Sequence, residues 1–208
     1  MEKDPSARIV DGIRRAFAHA WNDPQLRLIL MVVTVVSTVG FNFHVLVPVL
    51  ASETLDAGPR TFGILSAAFG AGALAGALLS AGIGRASWKA LITGVGGFSL
   101  ALLALAPMDT VIACVLLLFV VGVCFTLWTS NSQSLLQLAA PDHLRGRVLG
   151  LYLFAFAGLA PLGGLLAGWL SDVGGTSLAF YVAGVTGVLM TLAAVRELYA
   201  GRGGLTTA

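Results

Sequence analysis

Charge is what this sequence has least of. Twelve Lys and Arg and ten Asp and Glu make up 11% of 208 residues, about half the charged share of an ordinary soluble domain. With 57% hydrophobic residues and 26 glycines, such a chain is expected to be a polytopic membrane protein. The basic residues are dispersed over short loops and form no phosphate-binding patch, which excludes nucleic acid as a partner. Cysteine is also scarce. Cys114 and Cys124 both fall inside an apolar run and read as small buried side chains. His19, His44 and His143 are too scattered for a metal site, and no cofactor is expected. No G-x-S-G serine motif, phosphate-binding loop, H-E-x-x-H, dinucleotide fingerprint or paired N-P-A repeat occurs, so no residues suggest an enzyme or a water channel. Before residue 28 there are charges but no short apolar core followed by a cleavage site, so the first span is expected to drive insertion itself.

What is present is a set of long uncharged runs. They cover Leu28 to Ser52, Thr61 to Gly84, Ala90 to Met108, Thr110 to Ala140, Val148 to Ser171 and Val173 to Val195. Six transmembrane helices follow, antiparallel because the loops between them are short. The fourth run is too long for one crossing and too short for two, which predicts one long helix with a polar extension near Ser134 to Ala140. Ahead of them, residues 7 to 21 place Ile9, Val10, Ile13, Phe17, Ala20 and Trp21 on one helical arc. Arg8, Asp11, Arg14, Arg15 and His19 fall on the other, an amphipathic surface helix that meets either lipid or its own protein. Asn22-Asp23-Pro24 ends it.

The lysines and arginines set the orientation. With the N-terminus cytoplasmic, Arg60 is external while Lys3, Arg8, Arg14, Arg15, Arg27, Arg85, Lys89, Arg145, Arg147, Arg196 and Arg202 are all inside. Both ends of the chain are then cytoplasmic, with residues 1–27 a linker helix, 28–195 the membrane domain and 196–208 a tail. Trp21, Trp88, Trp169 and Tyr199 fall near the two interfaces. LAGALLSAGIG at Leu74 to Gly84 resembles LAGWLSDVGG at Leu166 to Gly175. These are the middle spans of two triplets running in opposite directions, a pattern that suits a three-plus-three inverted repeat.

Two spans carry polar stripes. Thr34, Ser37, Thr38, Phe41, Asn42 and His44 share an arc of roughly 160° on the first span. Thr126, Thr129, Ser130, Gln133, Ser134 and Gln137 share roughly 140° on the fourth, with Asn131 and Ser132 off it. Hydroxyls at such positions either bond helix backbones and glue helices together or line water. Two stripes on the first members of two triplets favour a shared wet cavity, with Asn42 and Gln133 the best single candidates because an amide in hydrocarbon must find several partners. His44 is the one strongly titratable side chain within a span; it is either functional or simply wet at the outer end. Gly72, Gly76, Ser80 and Gly84 recur every four residues in the second span as a packing stripe. In the fifth, Gly164 and Gly168 stand four apart for close helix approach, and Pro161 between Gly158 and Gly163 invites a kink.

The segment PDHLRGRVLGLYLFAFAGLAPLGGLLAGWL, with SLLQLAA before it and the early FNFHVLVPVLA, is similar to the C-terminal half of a major facilitator superfamily transporter. In particular it resembles the enterobactin-exporter-like, or transmembrane secretion effector, branch, from about Ile13 to Val195. The resemblance implies an all-α membrane protein: six transmembrane helices in an inverted repeat, one half of a twelve-helix fold in which this chain supplies helices seven to twelve. It implies that helices seven and ten line a substrate cavity, the two spans with polar stripes. It maps the loop after the second span onto the gating motif G-x-x-x-D-R-x-G-R, where Gly76, Ser80, Gly84 and Arg85 stand in with one extra residue and no aspartate. A charge-based latch is therefore in doubt there, while the loop of Arg145 and Arg147 remains a candidate gate. The expected function is half of an exporter of a small amphipathic molecule such as a siderophore or drug, driven by an ion gradient in a bacterial plasma membrane. It is paired with an N-terminal half or a second copy. The rival is a non-transporting six-helix subunit or truncated remnant that binds a partner.

Overall fold

The computed structural model describes the backbone of residues 5–203 and the side chains of residues 14–199. Every regular element among them is helical. Helix α1, Pro5–Asn22, lies beside the bundle with Ala16 and Ala20 buried and Arg14, Arg15, Phe17 and Trp21 exposed. Asp23 ends it and starts the next helix: its carboxylate accepts from the amides of Gln25 at 2.8 Å and Leu26 at 3.1 Å. Pro24 occupies the first turn, where its missing N–H costs nothing.

The first span is not one helix. Helix α2 runs Pro24–Gly40, Phe41 and Asn42 leave the helical conformation, and α3 continues over Phe43–Val49. A π-helical turn, Leu50–Thr54, completes it just after Pro48, whose ring cannot sit in a regular ladder. The next three spans are unbroken: α4, Pro59–Ile83; α5, Trp88–Leu105; and α6, Val111–Ala139. The polar extension of the fourth run is thus part of one helix. Gly84 closes α4 at φ 67°, a left-handed cap that favours glycine.

The last stretch, α7 at Arg145–Leu153, a π-helical turn at Phe154–Gly158 and α8 at Ala160–Gly203, holds 55 membrane-compatible residues between Arg145 and Tyr199. At 1.5 Å per residue that is about 80 Å, more than twice a hydrocarbon core. It folds back at Gly174 and Gly175, the latter at φ 69° and ψ 177°, a conformation essentially confined to glycine. Contacts on both sides fix the reversal. Thr176 Oγ1 stands 2.8 Å from Thr54 Oγ1 at the far end of the first span, while Glu197 meets Arg27 at its near end, 3.3 Å away. The chain therefore crosses twice after Arg145. The fifth span bends earlier than its proline suggests: the interruption is the π-helical turn and Leu159, and Pro161 sits in the first turn of α8.

Bare helix faces decide which spans touch. A Cβ on Gly72 would strike the Phe119 carbonyl, one on Gly122 would lie 2.8 Å from the Ala73 amide, and one on Gly76 would lie 3.1 Å from Thr126 Cβ. So α4 and α6 cross backbone to backbone. Gly163 lies against the Thr38 carbonyl and the Asn42 amide, joining the first part of α8 to α2. Gly184 and Gly187 lie against Ser99 on α5, joining the second part to the third span. In the fifth span the close approach falls on Gly163 rather than on the Gly164 and Gly168 pair: Gly164 only grazes Val45, and nothing described lies within 4 Å of a Cβ on Gly168. Leu74, Leu78, Ile112, Leu116 and Leu189 point outward, the normal state of side chains that lipid solvates.

Candidate functional site

Where the spans converge, the centre is aromatic. The break in the first span turns Phe41 and Phe43 inward; α4 adds Phe69, α5 Phe98, α6 Phe125 and Trp128, and the fifth span Tyr152 and Phe156. Phe41 stacks on Phe125 with centroids 4.4 Å apart and planes 9° apart, and Phe43 tilts against Phe69 at 4.9 Å. Phe98 and Trp128 are fully buried. No charged side chain enters this cluster, so what it offers a neighbour is ring faces and edges. The first and fourth spans meet at the Phe41 and Phe125 stack.

Around the rings the polar candidates separate. Asn42 is buried and donates through Nδ2 to the carbonyl of Thr38 at 2.8 Å, repairing the helix break. Its Oδ1 and the Thr38 hydroxyl are buried with no partner among the described residues, and Gly163 of the fifth span packs on both residues. Asn42 thus faces the fifth span. Thr34 and Ser37 spend their hydroxyls on carbonyls, Thr34 on Leu30 at 2.7 Å and Ser37 on Ala155 at 3.3 Å. On α6, Thr126 lies beside Gly76, and Ser130 and Gln133 are half-buried without a hydrogen bond among the described residues. Gln133 lies two turns from Phe125, about 12 Å along the axis, so it sits at a different depth from Asn42. His44 is exposed.

The residues left off the fourth span's stripe do more. Ser132 Oγ stands 3.2 Å from the Tyr152 hydroxyl, which donates to the Thr129 carbonyl at 3.3 Å and ties the fourth span to the fifth. Asn131 is buried; its Oδ1 accepts from the Ser87 amide at 3.0 Å, and its Nδ2 donates to the Leu127 carbonyl at 2.8 Å and reaches Ser80 Oγ at 3.4 Å. A neutral amide from α6 therefore holds the loop after α4, the loop without an aspartate. Arg85 lies exposed at a polar cavity bordered by Ser80, Asn131 and Ser134. Arg145 pairs with Asp142 at 2.7 Å and donates through Nε to the Gln137 carbonyl, closing its own loop. The Arg147 guanidinium lies against Gly12 of α1. Among the described residues no three His, Cys, Asp or Glu side chains gather to hold a metal.

A family model for transmembrane secretion effectors matches residues 1–200. The chain belongs to the transmembrane secretion effector family. As a member of this branch of the major facilitator superfamily, it is an integral membrane protein of a transport family. A multidrug efflux pump, Tap, of Mycolicibacterium fortuitum is 28% identical over 192 residues, which are 91% of this chain and 46% of the pump. The chain thus spans about half the length of that curated relative. No solved structure matches it.

Proposed function

We propose that this secretion effector chain is one half of a secondary active exporter, completed by an N-terminal half or a second copy, that moves a small amphipathic molecule out of the cell by alternating access. The observation that carries the reading is the family match over nearly the whole chain, against a span of about half of an efflux pump. The packing supports an inverted repeat: the middle span of the first triplet lies on the first span of the second, α4 on α6, and the middle span of the second lies on the first span of the first, α8 on α2. The arginine and lysine bias supports cytoplasmic ends, and the likeness to a bacterial efflux pump supports a bacterial plasma membrane. The described spans hold no embedded carboxylate to relay a proton, so a coupling acid belongs to the completing half.

In this reading Phe41 and Phe125 give cargo an apolar ring surface, and Thr126, Ser130 and Gln133 give it hydrogen bonds. Thr38 and Asn42 shape the break that aims Phe41, and His44 stands at the outer end. Arg85, Arg145 and Arg147 border the cytoplasmic gate. The test is transport by the assembled transporter, normalised to folded protein. Gln133→Leu and Phe125→Leu are expected to change rate or substrate preference while insertion persists. Unchanged transport in both would remove these residues from the site, and transport by the purified single chain as a monomer would end the half-transporter reading.

A further inference from the structure

A second cavity, of about 280 Å³, opens away from the ring cluster, between α1 and the outer faces of the first and fifth spans. Its roof is Phe17 stacked on Trp21, centroids 5.8 Å apart; its walls include Met31, Val35 and Phe154. Met31 and Phe154 are exposed, so the cavity opens outward from the bundle rather than into it. Thr34 also lines it, but its hydroxyl is spent on the Leu30 carbonyl, so the wall has no hydrogen bond to give a polar guest. One end differs. There Arg27 borders the groove beside Trp21, and from Arg27 to Val35 the wall descends about 12 Å into apolar span. Arg27 is paired with Glu197 at 3.3 Å, with both side chains over a third exposed. Arg14 is exposed on the roof helix.

We propose that this groove holds an anionic phospholipid of the leaflet on the α1 side, with an acyl chain under the Phe17 and Trp21 roof and the phosphate at Arg27. The chemistry argues for that occupant. A groove at this depth borders hydrocarbon and is costly to fill with water, a cation at its mouth suits a phosphate, and tryptophan settles at the headgroup level. The amphipathic helix then rests on lipid as well as on protein, which gives its exposed rings a partner.

The test uses the full chain released from nanodiscs of equimolar phosphatidylglycerol and phosphatidylcholine, with retained lipid counted by native mass spectrometry. The wild type is expected to keep one lipid, mainly phosphatidylglycerol, and Val35→Phe, which fills the groove, to lose it. Arg27→Gln should lower the ratio of phosphatidylglycerol to phosphatidylcholine about fivefold, the worth of one basic residue at a membrane surface. Glu197→Gln should raise it. Both variants break the same ion pair, so a purely structural effect would move them in the same direction, and opposite shifts mark the guanidinium as the phosphate ligand. No retained lipid in the wild type, unchanged retention in folded Val35→Phe, or parallel shifts in the two charge variants would each overturn the proposal. If Val35→Phe fails to fold, the charge pair still decides.

Discussion

Asn131→Leu removes from α6 the acceptor that holds the loop between α4 and α5, while keeping the branching at Cγ in a somewhat larger side chain. In the native chain Ser87 donates its amide to Asn131 Oδ1 at 3.0 Å. The Leu127 carbonyl loses a side-chain donor but stays within the α6 ladder, and the Ser80 contact at 3.4 Å is too long to add much. The Ser87 bond remains as the main loss. A polar cavity of about 240 Å³ adjoins it, large enough to admit water, so the freed amide does not suffer the full penalty of dry burial. The expected cost is about 1 kcal/mol, roughly a fivefold rise in local opening of the loop. Hydrogen exchange at Ser87 and Lys89, followed by mass spectrometry on protein in lipid, reads this opening directly. Asn131→Asp keeps an acceptor at the same place, beside Arg85, and should leave the loop protected. Unchanged exchange in the leucine variant, or equal acceleration in the aspartate variant, would refute the reasoning.

Three further outcomes follow from packing. Gly72→Leu should prevent the α4 and α6 crossing and collapse the yield of folded protein, whereas Gly168→Leu, with no described neighbour, should leave the thermal unfolding of the isolated chain in detergent unchanged. Phe125→Ala removes the ring that touches Phe41, Phe69, Phe98, Trp128 and Phe156 and should cost up to about 3 kcal/mol in unfolding assays, less than the same truncation in a soluble core, because lipid already solvates apolar groups. Phe62→Ala, on an exposed ring, is the matched control and should be near neutral. Gly175→Ala forces a side chain into positive φ and should cost about 1–3 kcal/mol, read as a lowered midpoint of thermal unfolding.

The helical membrane architecture was legible because a bilayer tolerates few departures: length without charge specifies a crossing, and the uncharged runs could be read one by one. The reversal after the fifth span was nearly legible, placed at Asp172 by its charge and found two residues later where the glycines are. The stripes were a poorer guide to the interior. They rank residues by shared face, so they missed Asn131 and Ser132, which act because of what stands opposite them. The ring cluster left no periodic signal at all, since its members come from five spans. The break at Phe41 and Asn42 follows Gly40 without a proline, and the side chain that repairs it looks in sequence like any buried amide.

The interruptions in the first and fifth spans lie near one another, since Ser37 of one bonds Ala155 of the other and Gly163 packs beside Asn42. The second and fourth spans, locked glycine to backbone, have no such joint. Compliance is therefore unevenly distributed. A rod with a non-helical link bends at the link, because fewer ladder bonds resist rotation there. A push on the α1 end of the first or fifth span is absorbed near the middle of the membrane, while the same push on α4 or α6 travels its full length. At that level the two pairs meet through stacked and tilted ring faces, and the Tyr152 hydroxyl, held by Ser132 and the Thr129 carbonyl, adds a directional tie between the fifth span and the fourth.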